Sequence, residues 1–170
     1  MIKLTRPTCP NPNALRTNYK NPENKDALRQ ASSDKCMYCE SKISHIYYGD
    51  VEHIKPKETY PQFEFVWENL GYVCAKCNGK KLNKYDDNCP YINPYEESPA
   101  DFIAPFGELL RQFRGNERGE YTILEIDLNR SELAEKRLNR MRVIANLIDK
   151  INRTQNVTFH KYRSSFPSFP

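Results

Sequence analysis

The sequence has little of what a membrane-spanning or secreted chain needs. No stretch approaches the roughly 18 to 20 uninterrupted apolar residues that cross a bilayer, and the opening MIKLTRPTCP has no apolar signal-peptide core. A cytoplasmic protein with no membrane contact is expected. Apolar residues make up only 38% of the 170, against 28% charged, with 12 prolines. So lean a fraction excludes a large core, although one domain of this length still buries roughly 68–70% of its unfolded surface. A second full domain is not expected, and there is no internal repeat beyond a paired CxxC. Neither CxxC pair sits in a βαβ pattern, which argues against redox chemistry.

What is present is cysteine. Six cysteines in a chain of this kind read as metal ligands, because cytosolic thiols are kept reduced. Cys36 and Cys39 form one knuckle, CMYC; Cys74 and Cys77 form another, CAKC, with 34 residues between the pairs. Four thiolates complete a tetrahedral Zn²⁺ shell and leave no open position, so such a zinc is structural. Its binding energy, about 10–16 kcal/mol in small zinc domains, offsets the lean core. Cys9 and Cys89 have no such pairing and read as ordinary residues.

Four regions follow from composition. Residues 1–33 carry Pro7, Pro10, Pro12 and Pro22 and read as an arm with a short helix near Lys25 to Ala31. Residues 34–90 hold both knuckles and the strand-like SHIYYGDVEHI. In 91–153, turn signals give way to the alternating, β-branched GEYTILEIDL, which predicts a strand ending at Asp127. Asn129 followed by Glu132 predicts a helix start. Leu138, Met141, Ile144, Ala145, Ile148 and Ile151 then recur at three- and four-residue steps, predicting an amphipathic helix to about Asn152, packed on the core. Residues 154–170 form a basic aromatic tail, flexible or docking a partner through Phe159, Tyr162, Phe166 and Phe169.

The chemistry must come from between the knuckles. Glu52 stands directly before His53 in GDVEHIKPK, Asn69 lies in WENLGYVC, and Asn78 follows Cys77 in CNGKKLNK. That order resembles the HNH endonuclease family from Cys36 to about Lys84. The resemblance implies an α+β fold: a zinc-stapled ββα-metal, treble-clef-like core with flanking helices. It also implies that His53 is the general base, that Glu52 and Asn78 hold a catalytic divalent ion, and that Asn69 orients the loop and His53. Glu stands at 52 where the family more often has Asp or His, so Asp50 is a candidate to share the metal. Asn at 78 supplies a hard oxygen, which favours Mg²⁺ or Mn²⁺ over zinc.

The wider motifs MIKLTRP, CMYCE, EHIKPK, CNGKK and IDLNRSEL are similar to the Septu-type, retron-associated branch of that family. This implies an antiphage nuclease acting on DNA with an ATPase partner of the PtuA type. Phosphodiester hydrolysis needs a base and a cation for the developing charge, and neutral histidine is available at cellular pH. Lys55, Lys57, Lys76, Lys80, Lys81 and Lys84 are candidates to neutralise phosphates, against the blander reading of a solvated face. His45 and His160 lack a motif and stay unassigned. Trp67, Tyr72, Phe63 and Phe65 read as core. Two rivals to the nuclease remain: a zinc module that binds nucleic acid without cutting it, and an adaptor that docks an ATPase. The nuclease reading predicts that Glu52, His53, Asn69 and Asn78 surround one ion-sized space, with the His53 ring open to solvent.

Overall fold

Asparagines start the first two helices. Asn11 accepts a hydrogen bond from the Ala14 amide ahead of α1 (Pro12–Leu15), and Asn21 accepts from Glu23 and Asn24 ahead of α2 (Pro22–Ala31). Each is followed by a proline, which fits the first helical position because no amide is needed there. The computed structural model describes residues 1–43, 48–154 and the backbone of 155–163. His45, Phe166 and Phe169 therefore lie outside the described residues, as do the side chains of Phe159, His160 and Tyr162.

The centre is a ββα unit. Strand β1 (Asp50–His53) pairs antiparallel with β2 (Leu70–Val73), setting Glu52 opposite Gly71 and His53 opposite Leu70. Helix α3 (Ala75–Lys81) follows β2 directly. Leu28, Tyr38, Leu70, Tyr72, Val73, Ile92, Ile126 and Leu128 are all essentially inaccessible and form the core. Trp67 and Tyr72 are buried as expected, whereas Phe65 is exposed and Phe63 only half-buried.

The first cysteine knuckle lies on β2, where the Met37 amide donates to the Tyr72 carbonyl at 2.9 Å. A Cβ on Gly71 would overlap the Met37 sulfur, so a larger residue there forces the buried Met37 side chain to move. Gly71→Ala is expected to cost about 1–3 kcal/mol, the usual range for overpacking. The check is a fall in the midpoint of denaturant unfolding of the zinc-loaded protein relative to wild type.

Several expectations are corrected beyond the ββα unit. Residues 119–127 are not a strand: Glu117–Glu125 is helix α4, capped by Asn116, which accepts from the Gly119 amide. Helical winding puts Gly119, Thr122 and Ile123 on the buried face, and Thr122 Oγ1 accepts from the Ile92 amide. Burial and the cap outweigh the β-propensity of the segment. Asn129 does not cap the next helix, because both ends of its amide are used on Leu110. Leu110 belongs to the hairpin β3 (Ile103–Phe106) and β4 (Leu109–Gln112), which turns at Gly107.

Helix α5 (Ser131–Arg163) runs about 50 Å and does not stop near Asn152: the backbone of 154–163 continues it. Its stripe is not packed on the core. Leu133 is buried and Leu138 half-buried, but Met141, Ile144, Ala145, Leu147, Ile148 and Ile151 are all exposed. The periodicity reports a helix with an apolar face; what covers that face is not part of this chain's described core.

Candidate active site and zinc centre

Four thiols meet at the base of the ββα unit. The sulfurs of Cys36, Cys39, Cys74 and Cys77 all lie within 4.8 Å of one another. Cys39 and Cys74 are 3.8 Å apart, the edge of about 3.8 Å that a tetrahedron with 2.3 Å Zn–S bonds requires. Cys74 caps α3, accepting from the Cys77 amide, so the helix start itself fixes two ligands. Arg130 Nη2 lies 3.6 Å from the Cys77 sulfur, adding positive charge to a thiolate cluster. Hydrogen bonding to Cys36 pulls the Cys39 thiol down and Cys74 to about 7, while burial pushes Cys36 up and contact with Cys36 pushes Cys77 up. The four thiols resist deprotonating together, a conflict that a cation at their centre removes. The donor set fits a closed structural zinc.

His53 ends β1. Its Nε2 is 2.9 Å from the Glu64 carbonyl; a carbonyl only accepts, so Nε2 carries the proton and Nδ1 is left as the basic nitrogen. Burial pushes its pKa down, which keeps the ring neutral near pH 7. The ring is not open to solvent, which corrects the expectation: His53 is 6% exposed, and Tyr19, from the turn between α1 and α2, packs edge-on at 4.4 Å between centroids. Asn69 holds the chain beyond His53. It accepts from the Lys55 amide and donates to the Lys55 and Phe63 carbonyls, closing the loop that carries Glu64.

The acidic side of the site is arranged differently from the expectation. Alternate residues of a strand share a face, so Asp50 and Glu52 face α3 while His53 faces the loop. Asn78 meets Asp50, with Nδ2 and Oδ2 3.4 Å apart, and not Glu52. Turning the Asn78 amide over brings its oxygen beside the same carboxylate; both residues are half-buried, and this pair suits a hard divalent cation. Glu52 instead holds Lys81, whose ammonium lies 2.8 Å from both Glu52 Oε1 and the His53 carbonyl. Burial pushes the Glu52 carboxyl up and the Lys81 ammonium down, each opposed by the partner's charge. Removing either charge leaves the other buried and unpaired, a cost of about 3–5 kcal/mol.

The lysine set is similarly committed. Besides Lys81 with Glu52, Lys55 pairs with Asp87, Lys57 with Glu64, Lys76 with Glu132, Lys80 with Asp127 and Lys84 with Glu125. The five surface pairs are each worth at most about 1 kcal/mol, so a phosphate can displace the carboxylates, but they are not a free cationic stripe. Lys81 stands apart as a structural counter-charge, legible in sequence only as one turn beyond Asn78 on a helix. Tyr19 and the Glu64 carbonyl carried no sequence signal, since each reaches His53 through the fold.

Residues 36–84, which carry both the thiol cluster and His53, match the HNH endonuclease family and form an HNH endonuclease domain. Two curated proteins are similar over a longer stretch. The Septu protein PtuB of Bacillus thuringiensis is 36% identical over 129 residues, 75% of this chain and 48% of that protein. The Septu protein PtuB of Bacillus mycoides is 27% identical over 150 residues, 70% of this chain and 51% of that protein. The chain spans about half the length of these relatives. Among the described residues no helix is long and apolar enough to cross a membrane.

Proposed function

We propose that the chain is a metal-dependent endonuclease of a Septu-type antiphage system, hydrolysing DNA phosphodiester bonds with an ATPase partner of the PtuA type. The observation that carries the catalytic reading is the single short unit on which β1 and α3 present a neutral His53 of defined tautomer and the Asp50–Asn78 pair. Bound there, Mg²⁺ or Mn²⁺ supplies positive charge to the phosphate oxygens and the leaving 3′ oxygen. The residues do the rest. His53 Nδ1 takes a proton from the attacking water, the Glu64 carbonyl and Asn69 hold the ring in that orientation, and Tyr19 must swing away for water and substrate to reach it. Glu52 serves through Lys81 by fixing α3 against β1.

The test is cleavage of plasmid DNA in Mg²⁺ or Mn²⁺ with the partner present. Asp50→Asn and Asn78→Ala are each expected to lower turnover about 100-fold or more and to weaken Mn²⁺ binding measured directly, with zinc content unchanged. Turnover should rise with pH through a value below the ordinary histidine pKa of about 6.5 and be flat at neutrality, because burial lowers the pKa of His53. A limb centred above that value assigns the base to another group.

The adaptor role is favoured by a separate observation, the exposed apolar face of α5. A docked ATPase would cover Met141, Ile144, Ile148 and Ile151, and the adaptor and catalytic roles coexist on different elements.

A further inference from the structure

The β3–β4 hairpin has two unlike faces. Toward α4 it presents the buried Ile103 and half-buried Leu110, and Gly119 brings α4 so close that a Cβ there would overlap the Phe102 carbonyl. The register sets Phe106 opposite Leu109 and Ala104 opposite Arg111, so Ala104, Phe106, Leu109 and Arg111 share the outer face, and Phe113 continues it. Phe106 is 58% exposed and Leu109 and Phe113 each 37%. The guanidinium of Arg111 lies 4.0 Å from the Phe106 ring centroid and that of Arg114 4.9 Å from Phe113. Among the described residues neither arginine has a carboxylate in ion-pair reach, in contrast to Lys55, Lys57, Lys76, Lys80, Lys81 and Lys84.

We infer that this outer face is a binding platform for single-stranded nucleic acid, outside the HNH unit. The inference rests on the nuclease reading for its class of ligand. The unneutralised guanidiniums set the sign of the partner, which is anionic. The exposed rings and arginine planes set its form, since a flat apolar or cationic surface stacks on bases whose faces are free, and duplex pairing hides those faces. A protein partner would be matched by an acidic rim; a nucleic-acid strand supplies both the anion and the planar groups from one repeating unit.

The experiment uses the full chain carrying His53→Ala, so that binding is read without cutting, and a fluorescent oligothymidylate of roughly 20 nucleotides, alone or annealed to oligodeoxyadenylate. Phe106→Ala with Arg111→Ala is expected to weaken single-strand binding about tenfold or more, with the duplex changed less. Arg111→Ala alone should lower the salt dependence by about one phosphate contact. Ile2→Ala, at an exposed apolar residue outside both the hairpin and residues 36–84, should leave binding unchanged. Wild-type affinity in the double variant overturns the proposal, as does an equal loss for strand and duplex. Unchanged binding with an altered oligomeric state overturns it in favour of contact between copies. Wild-type plasmid cleavage is measured in parallel: its absence, with single-strand binding still dependent on Phe106 and Arg111, counts against the nuclease reading alone.

Discussion

Replacing His53 with alanine is expected to lower cleavage by about 10²–10⁴, the usual contribution of a positioned general base, while zinc content stays at one equivalent. The two readouts separate because the ring and the zinc ligands stand on different parts of the unit. His53 holds the Glu64 carbonyl and packs on Tyr19, so its loss leaves a cavity in the loop, whereas the cysteines clamp the start of α3 to the first knuckle. Tyr19→Ala is the informative companion. It uncovers the ring without touching its hydrogen bond, and should leave the pH limb in place or move it toward the ordinary histidine value as burial is relieved. Cleavage at the wild-type rate in His53→Ala moves the base to another residue.

The second large effect is loss of the metal from the cysteine cluster. Cys77→Ser, or stripping with a chelator, is expected to unfold residues 34–90, because the ion contributes about 10–16 kcal/mol where a whole domain of this kind is stable by about 5–15 kcal/mol. Cys77 is fully buried and caught between three other sulfurs and Arg130, so the serine variant leaves the remaining thiols to share their charge unaided. Circular dichroism with and without added Zn²⁺ reads the result: wild type should refold on zinc and Cys77→Ser should not. Cys9→Ser is the control. Its thiol donates to Asn24 and lies outside the four-sulfur cluster, so no change in zinc content is expected. A Cys77→Ser protein that retains wild-type stability and its metal contradicts the clamp.

The Glu52–Lys81 pair shows why mutation at an HNH-type position needs care here. Glu52→Ala is expected to lose activity, but it strands an ammonium in the core and so also destabilises β1 against α3. Asp50 and Asn78 are the cleaner tests of metal binding, because both are half-buried whereas Glu52 is held to the buried Lys81.

The zinc ligands were legible in the chain because C-x2-C spacing makes a chelate locally, and the helix cap at Cys74 needs nothing from far away. His53 and Asn69 were legible for a related reason: they are the end and the tie of one short strand and its loop. The α5 helix was legible from its period, but its length beyond Asn152 was not, since polar and β-branched residues there carry no apolar stripe. The strand expected over 119–127 failed because alternation and β-branching are weak signals beside a cap and a glycine that lets the helix approach the hairpin.

The sequence by itself determined the metal clamp, the order of the HNH motif and the α+β class, all of which depend on spacing within a few residues. Only the tertiary structure decided which carboxylate meets Asn78, that Lys81 is sequestered by Glu52, that Tyr19 covers the His53 ring and that the outer face of the hairpin is left uncovered. The reason is that strand alternation sends neighbouring side chains to opposite faces, and what waits on each face is brought there by residues distant in the chain.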